Sequence, residues 1–289
     1  MSEKAGSVSF PVIPSDRADD LHHLEFADSA DLVLFVAGNQ FMVMKELLLA
    51  FQEEHPDIKK IFYETLPPGL ELKQILAGGA VFRGKVIDVV PDVYASVTEK
   101  AMERLEEEKF ISKGDYFLYL HNRIVLMAPE GNPAQIAGVS DLGREDVRIS
   151  QPNPDYEDIA YYIMDMYRQA GGQALVHRIM ERKRAEGTTI LTIVHHRETP
   201  LRIAKKTVDV GPVWATEIVH ARQTGLGVDE VEPGEDLDQR DRINYYICRS
   251  KNGRHPENAA KFLDFIKSAR AQCIYESYGF VPHFNVRRY

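Results

Sequence analysis

The strongest constraint in this sequence is a change of hydrophobic period that recurs along the chain. Leu32 to Val36 is an unbroken apolar run, the pattern of a strand buried on both faces. After the polar stretch Gly38-Asn39-Gln40, residues Met44, Leu47, Leu48 and Phe51 return at helical spacing, which places them on one helix face. His55-Pro56 closes that helix, because a residue before proline is pushed out of the α region. Ile58 to Tyr63 reads as the next strand. Alternation of this kind predicts an α/β fold built on parallel strands.

The pattern continues. "ETLPPGLELKQILAGG" predicts a helix started by two prolines and stopped by Gly-Gly. Val89 to Ala95 reads as a third strand, and Ser96 with Glu99 has capping-box spacing for the next helix. Near Tyr116 a second unit begins. "DYFLYLHNRIVLMAP" is a long β-rich stretch, a helix runs from about Asp155 to Gly171-Gly172, and "TTILTIV" and "VDVGPVW" read as strands. "INYYICRS" reads as a strand crossing back, and Pro256 opens a last well-marked helix. At 289 residues the chain is too long for one small core. The expected division is an N-terminal arm over residues 1–28, a first lobe over 29–117 plus 243–289, and a second lobe over 118–242.

Composition removes several function classes. A formal charge of −9 without a basic stripe argues against nucleic acid as a partner. No apolar run approaches the roughly 18 residues of a membrane span, so membrane insertion is not expected. Two cysteines, Cys248 and Cys273, make no disulfide framework, and two buried thiols are the expectation. The Pro-, Ser- and Asp-rich start reads as a loosely held arm as far as about Asp28. It carries no charged-then-apolar export signal, which reads as cytoplasmic if Met1 is the true start.

The opening strand-loop-helix, "PDVYAS", "HNRIVLMAPEGNP", "VSDLGREDVRISQPNP", "VDVGPVWATE" and "NAAKFLDFIKSARAQCIYESYGF" stand in one order. In that order the chain resembles a type 2 periplasmic solute-binding protein, closest to the molybdate- and tungstate-binding components of ABC importers. The resemblance runs from about Asp31 to Phe280. It implies two doubly wound α/β lobes with the ligand in a cleft between them, closed by a hinge. It further implies an ABC permease as partner, an extracytoplasmic location, a monomer, no cofactor and no catalysis.

Independently of that likeness, ligands of open α/β sheets sit beyond the carboxyl ends of strands, where helices begin. Four such loops carry polar residues: Gly38-Asn39-Gln40, Glu64-Thr65, Gln151-Pro152-Asn153 and Val213-Trp214. Helix N-termini attract anions, so a small anionic solute is the expected guest. By the resemblance, Asn39 and Thr65 stand where oxyanion binders carry loop serines. Trp214 stands where a ligand-contacting tyrosine is common, and Asn153 heads a second-lobe loop. Each also has a structural reading: turn glycine for Gly38, helix cap for Asn39, Thr65 and Asn153, core packing for Trp214.

Acidic neighbours set a difficulty, since Glu64, Asp155, Glu157 and Glu217 lie near these loops and a carboxylate facing a dianion is repulsive. They point to solvent, or the solute is not a bare dianion. Glu157 is the candidate for a carboxylate completing the coordination of a tungstate-type centre. Arg197 could grip an anion bidentately. His195, His196 and Glu198 are metal-ligand types, but adjacent strand residues point to opposite faces, so no metal is expected. No nucleophile elbow, phosphate-cradling glycine loop, zincin or Cys-x-x-Cys motif occurs. A binder rather than an enzyme is expected, with another small anion such as a carboxylate, or an intracellular sensor or enzyme on the same fold, as alternatives.

Overall fold

The computed structural model describes residues 10–155, 157, 159–193 and 198–285. In chain order the strands are β1 (Val12–Ile13), β2 (Leu21–His22), β3 (Leu32–Val36), β4 (Ile61–Glu64), β5 (Ala80–Phe82), β6 (Lys85–Ile87), β7 (Val93–Ser96), β8 (Tyr116–His121), β9 (Ile124–Pro129), β10 (Ile149–Gln151), β11 (Thr189–Leu191), β12 (Gly211–Trp214), β13 (Val228–Val231), β14 (Asn244–Arg249) and β15 (Val281–Pro282). The α-helices are α1 (Phe41–Glu54), α2 (Pro68–Ala77), α3 (Glu99–Glu107), α4 (Ile159–His177), α5 (Lys183–Ala185), α6 (Glu198–Ala204), α7 (Ala215–Gln223), α8 (Pro256–Lys267) and α9 (Ala269–Ser277). The chain forms two compact α/β units. Unit 1 comprises Met1–Leu120, Asn244–Ser277 and Pro282–Tyr289; unit 2 comprises His121–Ile243 and Tyr278–Val281.

Unit 1 is built on a seven-stranded sheet of order β15-β8-β14-β7-β3-β4-β2. β3 runs parallel to β4 and to β7, while β14 joins β7 and β2 joins β4 antiparallel. All five residues of β3 are buried, as a central parallel strand requires. Pro68 sits in the first turn of α2, and Gly78 ends it in the left-handed conformation at φ 76°, the arrangement those residue types favour. The core gathers Val33, Phe35, Phe62, Tyr94, Met102 and Cys248 among others.

In unit 2, β9 pairs antiparallel with both β12 and β13, and β10 pairs parallel with β11. A parallel bridge from Ile149 to Val210 links β10 to the residue entering β12. The carboxyl ends of β10, β11 and β12 therefore share one edge. Val125, Met127, Val213, Ile218 and Val228 make the core beneath.

Several expectations need correction. From residue 10 on, the N-terminal segment is no loose arm. β1 pairs with β5, β2 pairs with β4, and Ile13, Asp20 and Leu21 are buried. Backbone pairing with distant strands holds a segment whose composition alone would not. Tyr278–Val281, expected in the first lobe, packs in unit 2. Gly279 makes this close approach: at φ +88° a Cβ there would lie 3.1 Å from the carbonyl of Ala215. The Ser96 capping box is not formed, because Ser96 pairs with Tyr246 inside the sheet and Thr98 precedes α3. Gly171 and Gly172 leave helical geometry as their pattern predicts, but helical turns resume beyond them to His177. Cys248 is buried and Cys273 exposed, both free. Burial pushes the Cys248 thiol up to about 12, which suits packing rather than nucleophilic chemistry.

Candidate functional site

In unit 1, β3, β4 and β7 are parallel, so the loops after Val36, Glu64 and Ser96 leave one edge of the sheet. Residues Gly38–Gln40 form a single 3-10 turn leading straight into α1. This turn packs backbone-to-backbone on the next loop, since a Cβ on Gly38 would meet the carbonyl oxygens of Thr65 and Leu66 at 2.8 and 3.3 Å. Gly38, Asn39, Gln40 and Thr65 are thus brought together.

Their side chains take different roles. The Asn39 carboxamide bonds the hydroxyl of Tyr245 at the start of β14 through Nδ2, and its buried Oδ1 has no partner. Gln40 is fully buried. Its Oε1 accepts the hydroxyls of Tyr119 and Tyr275 at 2.9 and 3.2 Å. Those two rings meet edge to face at 5.9 Å, so Gln40 ties the turn to the core of the unit. Thr65 is only 1 % exposed. Its Oγ1 lies 3.0 Å from His22 Nε2 and 3.5 Å from Asp20 Oδ1, and its N–H donates to Asp20 O at 2.9 Å. His22 stacks flat on Tyr63, 4.1 Å between ring centres. Burial lowers the His22 pKa, with Asp20 opposing.

Beside this loop two carboxyls are buried completely. Glu64 Oε1 accepts Gln74 Nε2 at 3.0 Å, and Glu71 Oε1 accepts the Leu66 N–H at 3.1 Å. The Oε2 of each has no partner, nor does Gln74 Oε1. Burial pushes Glu64 up to about 8. Burial, then the neighbouring Glu64, holds Glu71 well above the carboxylate range. Burial thus favours the neutral acid at both positions, which lessens the negative charge that Glu64 brings to the loop that follows it.

In unit 2, the Asn153 N–H donates to Thr192 Oγ1 at 3.0 Å and to Glu157 Oε1 at 3.3 Å. Asn153 Oδ1 accepts the Asp155 N–H at 3.0 Å, an Asx turn leading towards α4. Thr192 Oγ1 also bonds Glu157 Oε1. Trp214 ends β12, is buried, and tilts against Tyr162 with ring centres 6.4 Å apart. Asn153, Glu157 and Trp214 therefore all belong to the strand-end edge of unit 2. Arg197, with His195 and His196, lies outside the described residues.

Asp20, His22, Thr192 and Tyr245 escape a reading of sequence. His22 reaches Thr65 from a two-residue strand and Asp20 from the 3-10 turn before it, neither of which carries a periodicity. Thr192 and Tyr245 sit within runs that read as plain strand.

The sequence profile described as "Bacterial extracellular solute-binding protein" matches residues 32–281. A Bacillus subtilis (strain 168) protein named as an ABC transporter substrate-binding lipoprotein, YvgL, is 23% identical over 189 residues, 65% of this chain. That match spans 66% of the relative's own length. Among solved structures, the substrate-binding domain assigned to a molybdenum ABC transporter of Clostridium difficile superposes with a TM-score of 0.68 at 18% identity, covering 87% of this chain and 98% of that one. The periplasmic molybdate-binding protein of Azotobacter vinelandii gives 0.64 at 18% identity, covering 86% and 98%. The likeness extends to the sulfate-binding protein SubI of Mycobacterium tuberculosis H37Rv and to iron-bound HitA of Pseudomonas aeruginosa, so it establishes the type 2 periplasmic binding protein fold without choosing a solute. By its profile match over residues 32–281, the chain belongs to the bacterial extracellular solute-binding proteins.

Proposed function

We propose that this protein is the solute receptor of an ABC importer, working outside the cytoplasmic membrane and docking on a permease, and that its solute is a small oxyanion. The observation that carries the reading is Asn39. Its carboxamide is anchored on Tyr245 through one polar atom and unpartnered through the other, at the entrance to the 14-residue helix α1. Tyr245 can donate or accept, so either setting of the carboxamide leaves one polar atom unpartnered. With Nδ2 free, it offers an anion two N–H groups beside a helix N-terminus, a field worth about 0.3–1 kcal/mol and up to ~2 when partly buried.

Within unit 1 the candidate binding residues are Gly38, Asn39 and Thr65, with Gln40 fixing the turn. Within unit 2 they are Asn153, Glu157, Arg197 and Trp214. Molybdate and tungstate are the first solutes to test, on the resemblance of the sequence. A second reading, an organic anion such as a carboxylate, draws support from Trp214 against Tyr162, an aromatic wall that a compact tetrahedral ion does not need. A thermal-shift panel of molybdate, tungstate, sulfate, phosphate and short carboxylates tests both. Solute at ~100 times its Kd stabilises by about 2.7 kcal/mol. A flat panel rejects the proposal, and a shift with carboxylates alone selects the second reading.

A further inference from the structure

Three buried oxygens of Glu64, Glu71 and Gln74 have no partner: Oε2 of each carboxyl and Oε1 of the carboxamide. All three only accept hydrogen bonds until a carboxyl takes up a proton. The Gln74 carboxamide already gives its N–H to Glu64 Oε1 at 3.0 Å. A carboxylic acid can answer a carboxamide with a second bond, O–H to C=O, and a carboxylate cannot. Buried polar atoms are nearly always paired, so this arrangement calls for protons rather than charge. The surroundings bring no cation to replace them. The charged groups that act on Glu71 are Glu64 and, from the turn before β2, Asp20. Asp20 is itself paired with Arg17 at 3.1 Å. From β7, Tyr94 gives its hydroxyl to Pro68 O at 3.1 Å; from β14, the Cys248 thiol bonds Tyr94 O; from β2, His22 bonds Thr65.

Both carboxyls are tied to the loop Thr65–Leu66. Glu64 directly precedes it in the chain, and Glu71 Oε1 holds the Leu66 N–H at 3.1 Å. The carbonyls of Thr65 and Leu66 are those against which Gly38 packs. Resting on the oxyanion reading above, we propose that Glu64 and Glu71 form a proton latch beside the strand-end loops of unit 1. While both hold their protons, the loop keeps its place against Gly38 and the anion is retained; loss of a proton weakens the hold. The coupling is electrostatic as well as mechanical. An unpaired buried carboxylate repels an anion at the neighbouring turn, and a bound anion in return favours the protonated acids, because linkage is reciprocal. Burial pushes Glu64 up to about 8, so the latch is closed below that pH and opens as pH rises through it.

The test is calorimetric titration of the intact chain with sulfate, molybdate, tungstate and phosphate, from about pH 7 to about pH 9.5. Each titration is repeated in two buffers of different ionisation enthalpy, which counts the protons taken up on binding. Glu64→Gln and Glu71→Gln are permanently neutral and keep an oxygen acceptor for Gln74 and for the Leu66 N–H. Protons carried by the solute itself are common to wild type and variants, so the difference between them counts those of the latch. In wild type the Kd is expected to hold steady up to about pH 8, then to rise by up to about tenfold per pH unit for each coupled proton, with net proton uptake. Each variant is expected to lessen the rise, and the double variant to abolish it together with the uptake. A wild-type Kd that is level throughout, with no uptake, overturns the latch and leaves the oxyanion reading standing. A rise that survives in the double variant overturns its assignment to this pair. Silence from all four anions at every pH rejects the oxyanion reading itself, and the latch with it.

Discussion

A side-chain carbon placed on Gly38 would lie 2.8 Å from the carbonyl oxygen of Thr65. The obstacle is backbone, which cannot swing aside as a flexible side chain does. The two strand-end loops of unit 1 are therefore held at a separation that only glycine permits. Gly38→Ala is expected to destabilise the protein by about 1–3 kcal/mol and to weaken solute binding. Urea unfolding should show a lower midpoint at unchanged slope; a wild-type midpoint would mean that the loops part at no cost.

Asn39 and Gln40 are neighbours with separable duties. Gln40→Ala removes the acceptor shared by Tyr119 and Tyr275, and should cost about 1–3 kcal/mol of stability. Asn39→Ala should cost less stability and at least about tenfold in solute affinity. Unfolding midpoints and Kd measured on both variants check the split, and equal effects on both axes contradict it.

Stability should fall with rising pH across the window set by Glu64. Its ordinary value is 4.5 and its folded value about 8. Between these the unfolded state has lost the proton that the folded state keeps. Stability is fully present below 4.5, declines by up to ~1.4 kcal/mol per pH unit within the window, and stops declining above about 8. Glu71, raised by burial and by Glu64, adds to the same trend. Glu64→Gln should flatten the profile while keeping an oxygen acceptor for Gln74. Unfolding free energies measured through the window decide it, and an equally steep profile in the variant would assign the slope elsewhere.

How much of this was legible beforehand follows from where each signal resides. β3, α1, α2 and α8 declare themselves through local means: an apolar run, helical spacing, a Pro at the start, a Gly at the stop. Asn39 and Thr65 were reachable because strand-end loops bind ligands in open α/β sheets. Their partners were not. The bonds from Thr65 to Asp20 and His22, and from Asn39 to Tyr245, join residues 45, 43 and 206 positions apart, a distance at which period and spacing carry no information. The acidic difficulty at Glu64 likewise disappears only once its burial is seen.

Asp92 illustrates the same long-range dependence and gives a stability test away from the candidate site. Buried at 1 % exposure, it accepts Val33 N–H at 2.8 Å, His255 N–H at 2.8 Å and His255 Nδ1 at 3.0 Å. It thereby fastens the start of β3 to the entrance of α8. Asp92→Ala strips three bonds and should cost about 3 kcal/mol or more, with Asp92→Asn recovering part. A thermal midpoint unmoved by Asp92→Ala would show that the three bonds do not hold the unit together.

The chain contains one tryptophan, Trp214, at the strand-end edge of unit 2, so its emission reports on that edge without a label. Titrating molybdate, tungstate, sulfate, phosphate and short carboxylates against Trp214 fluorescence, in wild type and Asn39→Ala, tests most directly whether these loops bind a small anion. The account predicts a saturable change with at least one anion and a midpoint moved about tenfold or more by Asn39→Ala. Emission indifferent to every anion, or a midpoint identical in the variant, would contradict it.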